Sequence, residues 1–209
     1  MRVNFNRARH ILPQRYAALL GVFLGTFQAA AVNYYVNDSD TAGDVFCTAP
    51  GLSSHDGLSS NTPLASIQAV LGLIPAPSSG DTVYIDAGTY VLQNDLELPH
   101  IRTGNTSSVL RVMGAGRKTI LERVPALSSS CCLRIKQDFT HIQGLTFRGA
   151  GTGLVIDPST CRNATLVNNS FLANSGYGIV VLPDQMNQGI DTYTIQNNLL
   201  YGNGGGMNL

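Results

Sequence analysis

Two arginines are the residues best placed to bind a negatively charged ligand. From Leu133 to Lys136 apolar and basic residues alternate, so a strand there would point Leu133 inward and Arg134 outward. Arg111 takes the same outward position in an earlier predicted strand, residues 109–112. If the two strands stack on adjacent coils, Arg111 and Arg134 could clamp a carboxylate, because a guanidinium presents paired donors that match it. The sequence therefore marks Arg111 and Arg134 as candidate substrate-binding residues.

The neighbouring positions favour a plainer surface role for the same arginines. Their outward column continues with residues that supply neither acid nor base, which are Val155, Val180 and Asn208. The next outward column holds Lys136 and Asp157, which we interpret as a cross-strand ion pair worth at most about 1 kcal/mol. His141 opens a strand of core type, so a role in a turn or in packing is favoured over that of a base. No catalytic residue follows from the sequence, and whether the protein is an enzyme stays open.

An acidic segment is the second candidate site. It contains four side chains with oxygen ligands, which are Asn37, Asp38, Asp40 and Asp44. Such oxygens suit Ca²⁺, but the segment lacks the spacing and the glycine of an EF-hand loop. Asn and Asp side chains in loops also commonly cap their own backbone in Asx turns. Both interpretations stay open for the segment, and no cofactor other than Ca²⁺ is suggested.

Four cysteines, Cys47, Cys131, Cys132 and Cys161, allow three disulfide connectivities if the chain is exported. Cys131 and Cys132 are adjacent, so in a strand their side chains point to opposite faces. The spacing of a metal-binding C-x-x-C motif is absent. We expect at most one disulfide, and the alternative is that the thiols are free and buried.

Charge and composition narrow the class of partner. The 209 residues include 13 basic and 13 acidic side chains, so the net charge is zero. Nucleic-acid binding normally needs a basic surface to neutralise phosphates, and an electrostatic membrane partner is disfavoured for the same reason. Charged residues make up only 12% of the chain, about half the usual share, and there are 22 glycines. This composition suits an all-β solenoid.

Residues 1–31 have the features of a secretory signal peptide. A basic leader without acidic residues precedes the apolar run from Ala17 to Phe27, which is shorter than the about 20 residues that span a bilayer. The small residues at 29–31 fit a cleavage site after Ala31, so the mature chain would begin at Val32. No later segment is long and apolar enough to cross a membrane. We therefore predict a secreted protein, extracellular, periplasmic or on the cell surface.

The later part of the chain repeats. Residues 141–147, 165–171 and 194–200 align at periods of 24 and 29 residues (165 − 141 and 194 − 165). Each segment precedes a glycine turn and another short strand, at residues 153–156, 178–181 and 206–209. A period in this range with several strands per unit indicates a solenoid whose coils are about 4.8 Å apart.

The repeats also predict which side chains stack inside. One core column would contain Ile142, Leu166 and Ile195, and a second would contain Phe147, Phe171 and Leu200. Asn168 and Asn197 are equivalent, so we expect their amides to form a hydrogen-bonded ladder from coil to coil.

A single helix is predicted before the coils. Ile67, Val70, Leu71 and Ile74 follow helical spacing over residues 64–73. Thr62 would cap the helix, and Pro63 would lie in its first turn. Such a helix would cover the first coil, whose edge would otherwise be unpaired. The domain boundaries that follow are 1–31 for the signal peptide, 32–80 for the strand, loops and capping helix, and 81–209 for the coils.

These motifs resemble the pectate-lyase-like superfamily of right-handed parallel β-helix proteins. The resemblance rests on Tyr35-Val36, on Asp56-Gly57-Leu58-Ser59 with Thr62-Pro63, and on Gly80-Asp81-Thr82-Val83-Tyr84 with Gly88-Thr89-Tyr90. It covers residues 34–209 and implies an all-β, right-handed parallel β-helix with a short N-terminal capping α-helix. It also implies that further coils follow, because residues 206–209 stop inside a strand without a capping element.

For function, the resemblance implies a secreted protein that binds or processes carbohydrate, with a polysaccharide as its partner. The same scaffold serves polysaccharide lyases, glycoside hydrolases, uronan epimerases and surface proteins without catalysis. A non-catalytic structural or adhesive solenoid at the cell surface is therefore the alternative.

Overall fold

The structure is a computed structural model that describes residues 30–74, 80–98, 108–158, 161–183 and 192–209. The predicted signal peptide lies outside the described residues except for Ala30 and Ala31. Within the described ranges, no helix has the length and apolar character that a bilayer span requires.

Short strands account for nearly all of the regular structure. They are β1 (Asn33–Val36), β2 (Thr82–Ile85), β3 (Gly88–Leu92), β4 (Leu96–Leu98), β5 (Leu110–Gly114), β6 (Thr119–Arg123), β7 (Cys131–Ile135), β8 (Thr140–Gln143), β9 (Thr146–Arg148), β10 (Thr152–Ile156), β11 (Ala164–Val167), β12 (Ser170–Leu172), β13 (Tyr177–Val181), β14 (Thr194–Gln196), β15 (Leu199–Tyr201) and β16 (Gly205–Asn208). The α-helix α1 spans Ile67–Leu73, and a 3-10 turn spans Gly116–Lys118.

The strands form three parallel sheets. Sheet 1 has the order β1-β2-β5-β8-β11-β14, sheet 2 has the order β3-β6-β9-β12-β15, and sheet 3 has the order β4-β7-β10-β13-β16. From β2 onward each coil therefore gives one strand to each sheet, and every neighbour in a sheet comes from the coil before or after. This topology confirms the predicted parallel β-helix with three strands per coil.

The predicted core columns are confirmed. Ile142 pairs with Leu166, and Leu166 pairs with Ile195, across three strands of sheet 1. In sheet 2, Phe147 and Phe171 lie in register with their rings stacked at 5.0 Å and an interplanar angle of 9°. Both rings are fully buried. The alternation of the strands thus builds continuous apolar columns that run the length of the coils.

The predicted asparagine ladder is wrong by one residue. Asn168 and Asn197 have left-handed backbones, with φ of 57° and 54°, and both are exposed at the turn between sheets 1 and 2. The ladder is formed instead by the residues that follow them, Asn169 and Asn198. The left-handed turn residue rotates the next side chain into the coil, which the alignment of the repeats does not reveal.

Each ladder amide satisfies the backbone of the coil before it. Asn169 Oδ1 accepts the N–H of Leu145 at 3.1 Å, and Asn198 Oδ1 accepts the N–H of Asn169 at 2.9 Å. A second ladder lies at the corner after sheet 2, where Asn174 Oδ1 accepts from Ala150 N and Asn203 Oδ1 accepts from Asn174 N. Buried polar groups at both corners are thereby paired, as a dry interior requires.

The helix lies where it was predicted, but its start differs. Ser66, not Thr62, is the N-cap, and its hydroxyl accepts the N–H of Ala69 at 3.3 Å. Thr62 instead donates to Asp56 Oδ1 at 2.7 Å. Leu64 is extended because its N–H donates to Tyr35 O and its carbonyl accepts from the backbone of the strand end. The helix therefore begins only after this bridge.

The predicted apolar face of α1 is confirmed. Ile67, Val70, Leu71 and Ile74 are buried, and they join the core cluster with residues of β1. The helix thus covers the N-terminal end of the stack, as expected from the need to shield an unpaired edge.

Candidate ligand-binding face

The two candidate arginines lie on different sheets. Arg111 is in β5 of sheet 1, between Thr82 and His141, whereas Arg134 is in β7 of sheet 3, between Glu97 and Val155. The prediction that they share a column and clamp one ligand together is therefore wrong. They are 23 residues apart (134 − 111), close to the shortest repeat period, so sequence spacing alone made strands of two different sheets look equivalent.

The rest of the predicted outward column on sheet 3 is confirmed. Arg134 pairs with Val155, Val155 with Val180, and Val180 with Asn208.

One carboxylate contacts the basic group of this column and the basic group of the next. Glu97 lies on the strand before Arg134 and approaches its Nε at 3.6 Å, while the Nζ of Lys136 contacts the same carboxylate at 2.6 Å. Arg134 therefore faces a carboxylate of its own chain, followed by apolar residues. The separate pairing of Lys136 with Asp157 stays a prediction.

Arg111 has a different environment. Its side chain is exposed and donates a long hydrogen bond to Val109 O at 3.4 Å. Among the described residues, no carboxylate lies within ion-pair distance of it. It borders an open groove of about 300 Å³ on the outward side of sheet 1, which is also lined by His141, Thr165 and Asn163. A cationic group that borders a groove and faces no described carboxylate is a suitable anchor for an anionic ligand.

His141 is the register neighbour of Arg111 on the next coil. It is half-buried on β8, and its Nε2 lies 3.1 Å from Gln143 Oε1. The side chain lies on the outward face of sheet 1, and the turn or packing role expected for His141 stays a prediction. The column continues through Thr165 and Thr194, so it presents a cation, an imidazole and two hydroxyls in succession.

A second outward column runs beside the first on sheet 1. It begins with Tyr35 and Tyr84, whose rings are stacked at 5.4 Å, and Phe46 covers Tyr84 at 4.9 Å. Further along, the column contains Met113, Gln143, Val167 and Gln196. This column was not predicted from the sequence. Its signal was present, since the repeats align Gln143, Val167 and Gln196 directly.

The acidic segment is organised by hydrogen bonds within the chain. Asn37 is fully buried, and its Nδ2 donates to Asp44 Oδ2 and to the carbonyls of Asp40 and Ala49. Asp40 Oδ1 accepts the N–H groups of the two residues after it, and Asp38 Oδ1 accepts the N–H of Asp40. The self-capping interpretation is confirmed. In the described part of the chain, no group of three or more His, Cys, Asp or Glu has a metal-binding arrangement.

Sequence analysis also missed the residue that anchors this loop. Asp86 is fully buried, and its carboxylate accepts the N–H groups of Val45, Phe46, Cys47 and Ala87. Burial, together with the nearby carboxylates of Asp86 and other residues, raises the pKa of Asp44. The segment is thus a crowded acidic hub in which Asp38, Asp40 and Asp86 hold backbone N–H groups, while Asp44 accepts from the amide of Asn37.

All four cysteines are buried and none of them forms a disulfide, so the alternative of buried thiols without a bridge is confirmed. Burial raises the pKa of Cys47, Cys131 and Cys132 to about 12 each. These three thiols are therefore protonated at neutral pH and are poor nucleophiles, since the thiolate is the reactive form.

No protein-family model matches the sequence, and no curated protein matches it either. The grounds for assigning a function are therefore the fold and the side chains of this chain.

Proposed function

We propose that this protein is exported and binds an acidic polysaccharide along the outward face of sheet 1. The observation that carries the proposal is the pairing of Arg111 with His141 on adjacent strands, beside a groove of about 300 Å³. Arg111 has no acidic partner among the described residues, whereas Arg134 faces Glu97. The resemblance to pectate-lyase-like β-helix proteins supports the same class of ligand.

The geometry favours a linear polymer over a small anion. Side chains of one column repeat at the strand spacing of about 4.8 Å, so the four residues from Arg111 to Thr194 span roughly 14 Å. A chain of sugar units lying across the strands can offer a carboxylate to Arg111 and hydroxyls to Thr165 and Thr194. The stacked pair of Tyr35 and Tyr84, which is half-buried in the neighbouring column, adds apolar surface beside the same face.

Glycan binding by matched arginine variants tests the proposal. The mature protein would be applied to immobilised pectate, alginate, chondroitin and neutral glycans, with Arg111→Gln compared against Arg134→Gln. We expect Arg111→Gln to weaken binding to an acidic glycan by about tenfold or more, because a hydrogen bond to a charged group contributes about 1.5–3 kcal/mol. Arg134→Gln should leave binding within about twofold of wild type, since Arg134 lies on sheet 3, away from the proposed face, and faces Glu97.

The opposite pattern, with Arg134→Gln as the damaging variant, would overturn the assignment of the face. If none of the acidic glycans binds, the proposal fails and the alternative of a structural or adhesive solenoid gains ground.

We expect binding without cleavage. In the groove, Arg111 and His141 are the ionisable residues among the described lining residues, and the imidazole is already hydrogen-bonded to Gln143. Among the described lining residues no carboxylic acid completes the acid–base pair that hydrolases use, and the imidazole that an elimination would need as its base is engaged by Gln143. New reducing ends or unsaturated uronate products, measured after incubation with the bound glycan, would contradict this expectation and would make the protein an enzyme.

Export is tested separately. The purified secreted protein should begin at Val32, and N-terminal sequencing or intact mass reads this directly. Retention of residues 1–31 on the protein recovered from the medium or cell envelope would contradict the signal-peptide assignment.

A further inference from the structure

A second cleft lies at the N-terminal end and shares none of its described lining residues with the groove at Arg111. It has a volume of about 540 Å³ and lies between the start of α1 and the β3–β4 turn. Buried side chains form its floor, which includes Ile67, Tyr90, Leu92 and Leu96. Clefts of this size with an apolar floor and a few polar groups are the usual form of small-molecule sites.

The rim of the cleft is rich in carboxamides. Gln68 projects from α1, and Gln93 and Asn94 project from the β3–β4 turn on the other side. All three are exposed, and within the described ranges no hydrogen bond joins their side chains to another residue. Each carboxamide offers two donors and one acceptor oxygen, so the two walls together present an array of both kinds.

A single charged group completes the described lining, the carboxylate of Asp38. It lies against the backbone at Gly88, where an added Cβ atom would overlap Asp38 Oδ2. Gly88 also has φ of 152°, a conformation that side chains rarely adopt, so glycine is required for this approach. The described lining contains no cation, and a carboxylate repels an anionic ligand.

We propose that this cleft binds a neutral sugar ring. Hydroxyl groups around such a ring are both donors and acceptors, which matches carboxamides facing each other across the cleft with one carboxylate between them. The apolar face of the ring would rest on the floor at Tyr90 and Leu92. The site differs from the sheet 1 face in position and in charge preference, so either site can exist without the other.

Saturation-transfer NMR with simple methyl glycosides tests the proposal. The mature protein would be mixed with methyl glucoside, galactoside and mannoside, and in parallel with methyl glucuronoside and galacturonoside. We expect saturation transfer to at least one neutral glycoside and, in an Arg111→Gln background that removes the sheet 1 anchor, much weaker transfer to its uronic acid counterpart. The double variant Gln68→Leu/Gln93→Leu should raise the dissociation constant of that neutral glycoside by about tenfold or more.

Gln196→Leu is the matched control, because it removes an equally exposed carboxamide from sheet 1. It should leave the dissociation constant unchanged, and thermal unfolding should show that both variants stay folded. The proposal is overturned if no neutral glycoside receives saturation, if the double variant binds like wild type, if Gln196→Leu is equally damaging, or if the uronic acids bind as well in the Arg111→Gln background. None of these results bears on Arg111, whose test uses acidic polymers.

Discussion

The N-terminal region and the later coils are held together by different means. In residues 30–74, loops of irregular shape converge on single buried groups, such as the carboxylate of Asp86 and the amide of Asn37. In the coils, the same contact recurs at each turn, as in the columns through Phe147 and Phe171 or the ladders through Asn169. One region depends on unique contacts, and the other depends on repetition.

The difference has an energetic consequence. In a solenoid each coil contacts only its neighbours, so stability is approximately a sum of local terms. A substitution in a column should therefore weaken two coil interfaces at once, whereas a substitution at a unique hub should release one loop. Measurements that report on individual residues, such as hydrogen exchange, are needed to separate these two kinds of destabilisation. A long array of repeats need not unfold in a single transition.

The largest effect is expected for Phe171→Ala. Phe171 is fully buried and stacks on Phe147, so its truncation leaves a cavity that adjacent coils cannot fill. The expected loss in free energy of unfolding is about 3–5 kcal/mol.

Leu172→Ala is the control on the same strand, because Leu172 points outward and is half-buried. Its cost in free energy of unfolding should be about 1 kcal/mol or less. Urea denaturation of both variants, followed by circular dichroism, checks the comparison. Equal losses would show that the column does not carry the stability.

The architecture of the repeating coils could be predicted from the sequence. Apolar positions recurring at 142, 166 and 195 settle the inward column, because each coil must bury its face against the next. The helix face of α1 was readable for the same reason. Periodicity predicts which residues share a column only while the repeats stay equal in length, however. Where the coils differ in length, the spacing of residues is misleading. The spacing of Arg111 and Arg134 predicted one shared column, but the two residues lie in strands of two different sheets.

The remaining errors came from backbone conformation and from long-range contacts. The positive φ of Asn168 moves the ladder to Asn169, and nothing in the pattern of residue types distinguishes two adjacent asparagines. The bridge between Val36 and Leu64 delays the start of α1. Asp86 holds backbone about 40 residues earlier in the chain, and a lone acid after a strand carries no local signal of that partner.

The hub of the N-terminal region is tested by Asp86→Asn. The carboxylate accepts four backbone N–H groups, and a carboxamide would turn a donor towards some of them. We expect a loss of about 2–4 kcal/mol, since hydrogen bonds to charged groups contribute about 1.5–3 kcal/mol each and are not additive. Hydrogen exchange should accelerate at residues 45–47 and stay unchanged at Phe171.

Asp40→Asn is the control, because Asp40 caps an exposed turn, and its effect should stay within about 0.5 kcal/mol. If exchange accelerates uniformly along the coils in Asp86→Asn, the two regions are one cooperative unit, and the contrast between them fails.

Adjacent asparagines provide a finer test within the coils. Asn169→Ala removes the acceptor for Leu145 N and the donor to Ile142 O, so it leaves buried backbone groups unpaired. The expected cost is about 1–3 kcal/mol. Asn168→Gly should change stability by no more than about 0.5 kcal/mol, because Asn168 is exposed and glycine accepts its positive φ. Denaturation midpoints of the two variants decide between the ladder at 169 and the one expected at 168.

The smallest expected effect is a change of stability at acid pH. The folded structure shifts the pKa values of two carboxyl groups, one in each region, in opposite directions. Burial and neighbouring carboxylates raise the pKa of Asp44, as described above. At Asp95 burial also acts upward, but hydrogen bonds from Arg123 and Cys131 outweigh it, and the pKa is lowered. A carboxyl with a lowered pKa in the folded state stabilises the protein above its unfolded pKa of about 3.9 and loses that contribution as pH falls through the folded value.

Asp95→Asn should therefore be slightly destabilising at pH 7, by about 1 kcal/mol or less, because Asp95 is 28% exposed. Arg123 keeps hydrogen bonds to the carbonyls of Leu92 and Val124, so its guanidinium is not left unpaired. The difference between wild type and variant should shrink as the pH falls below about 4. Urea midpoints of both proteins at pH 7, 5 and 3 measure this. A difference that stays constant over this range would mean that the Asp95 charge contributes nothing and that shape alone holds Arg123 against the β3–β4 turn.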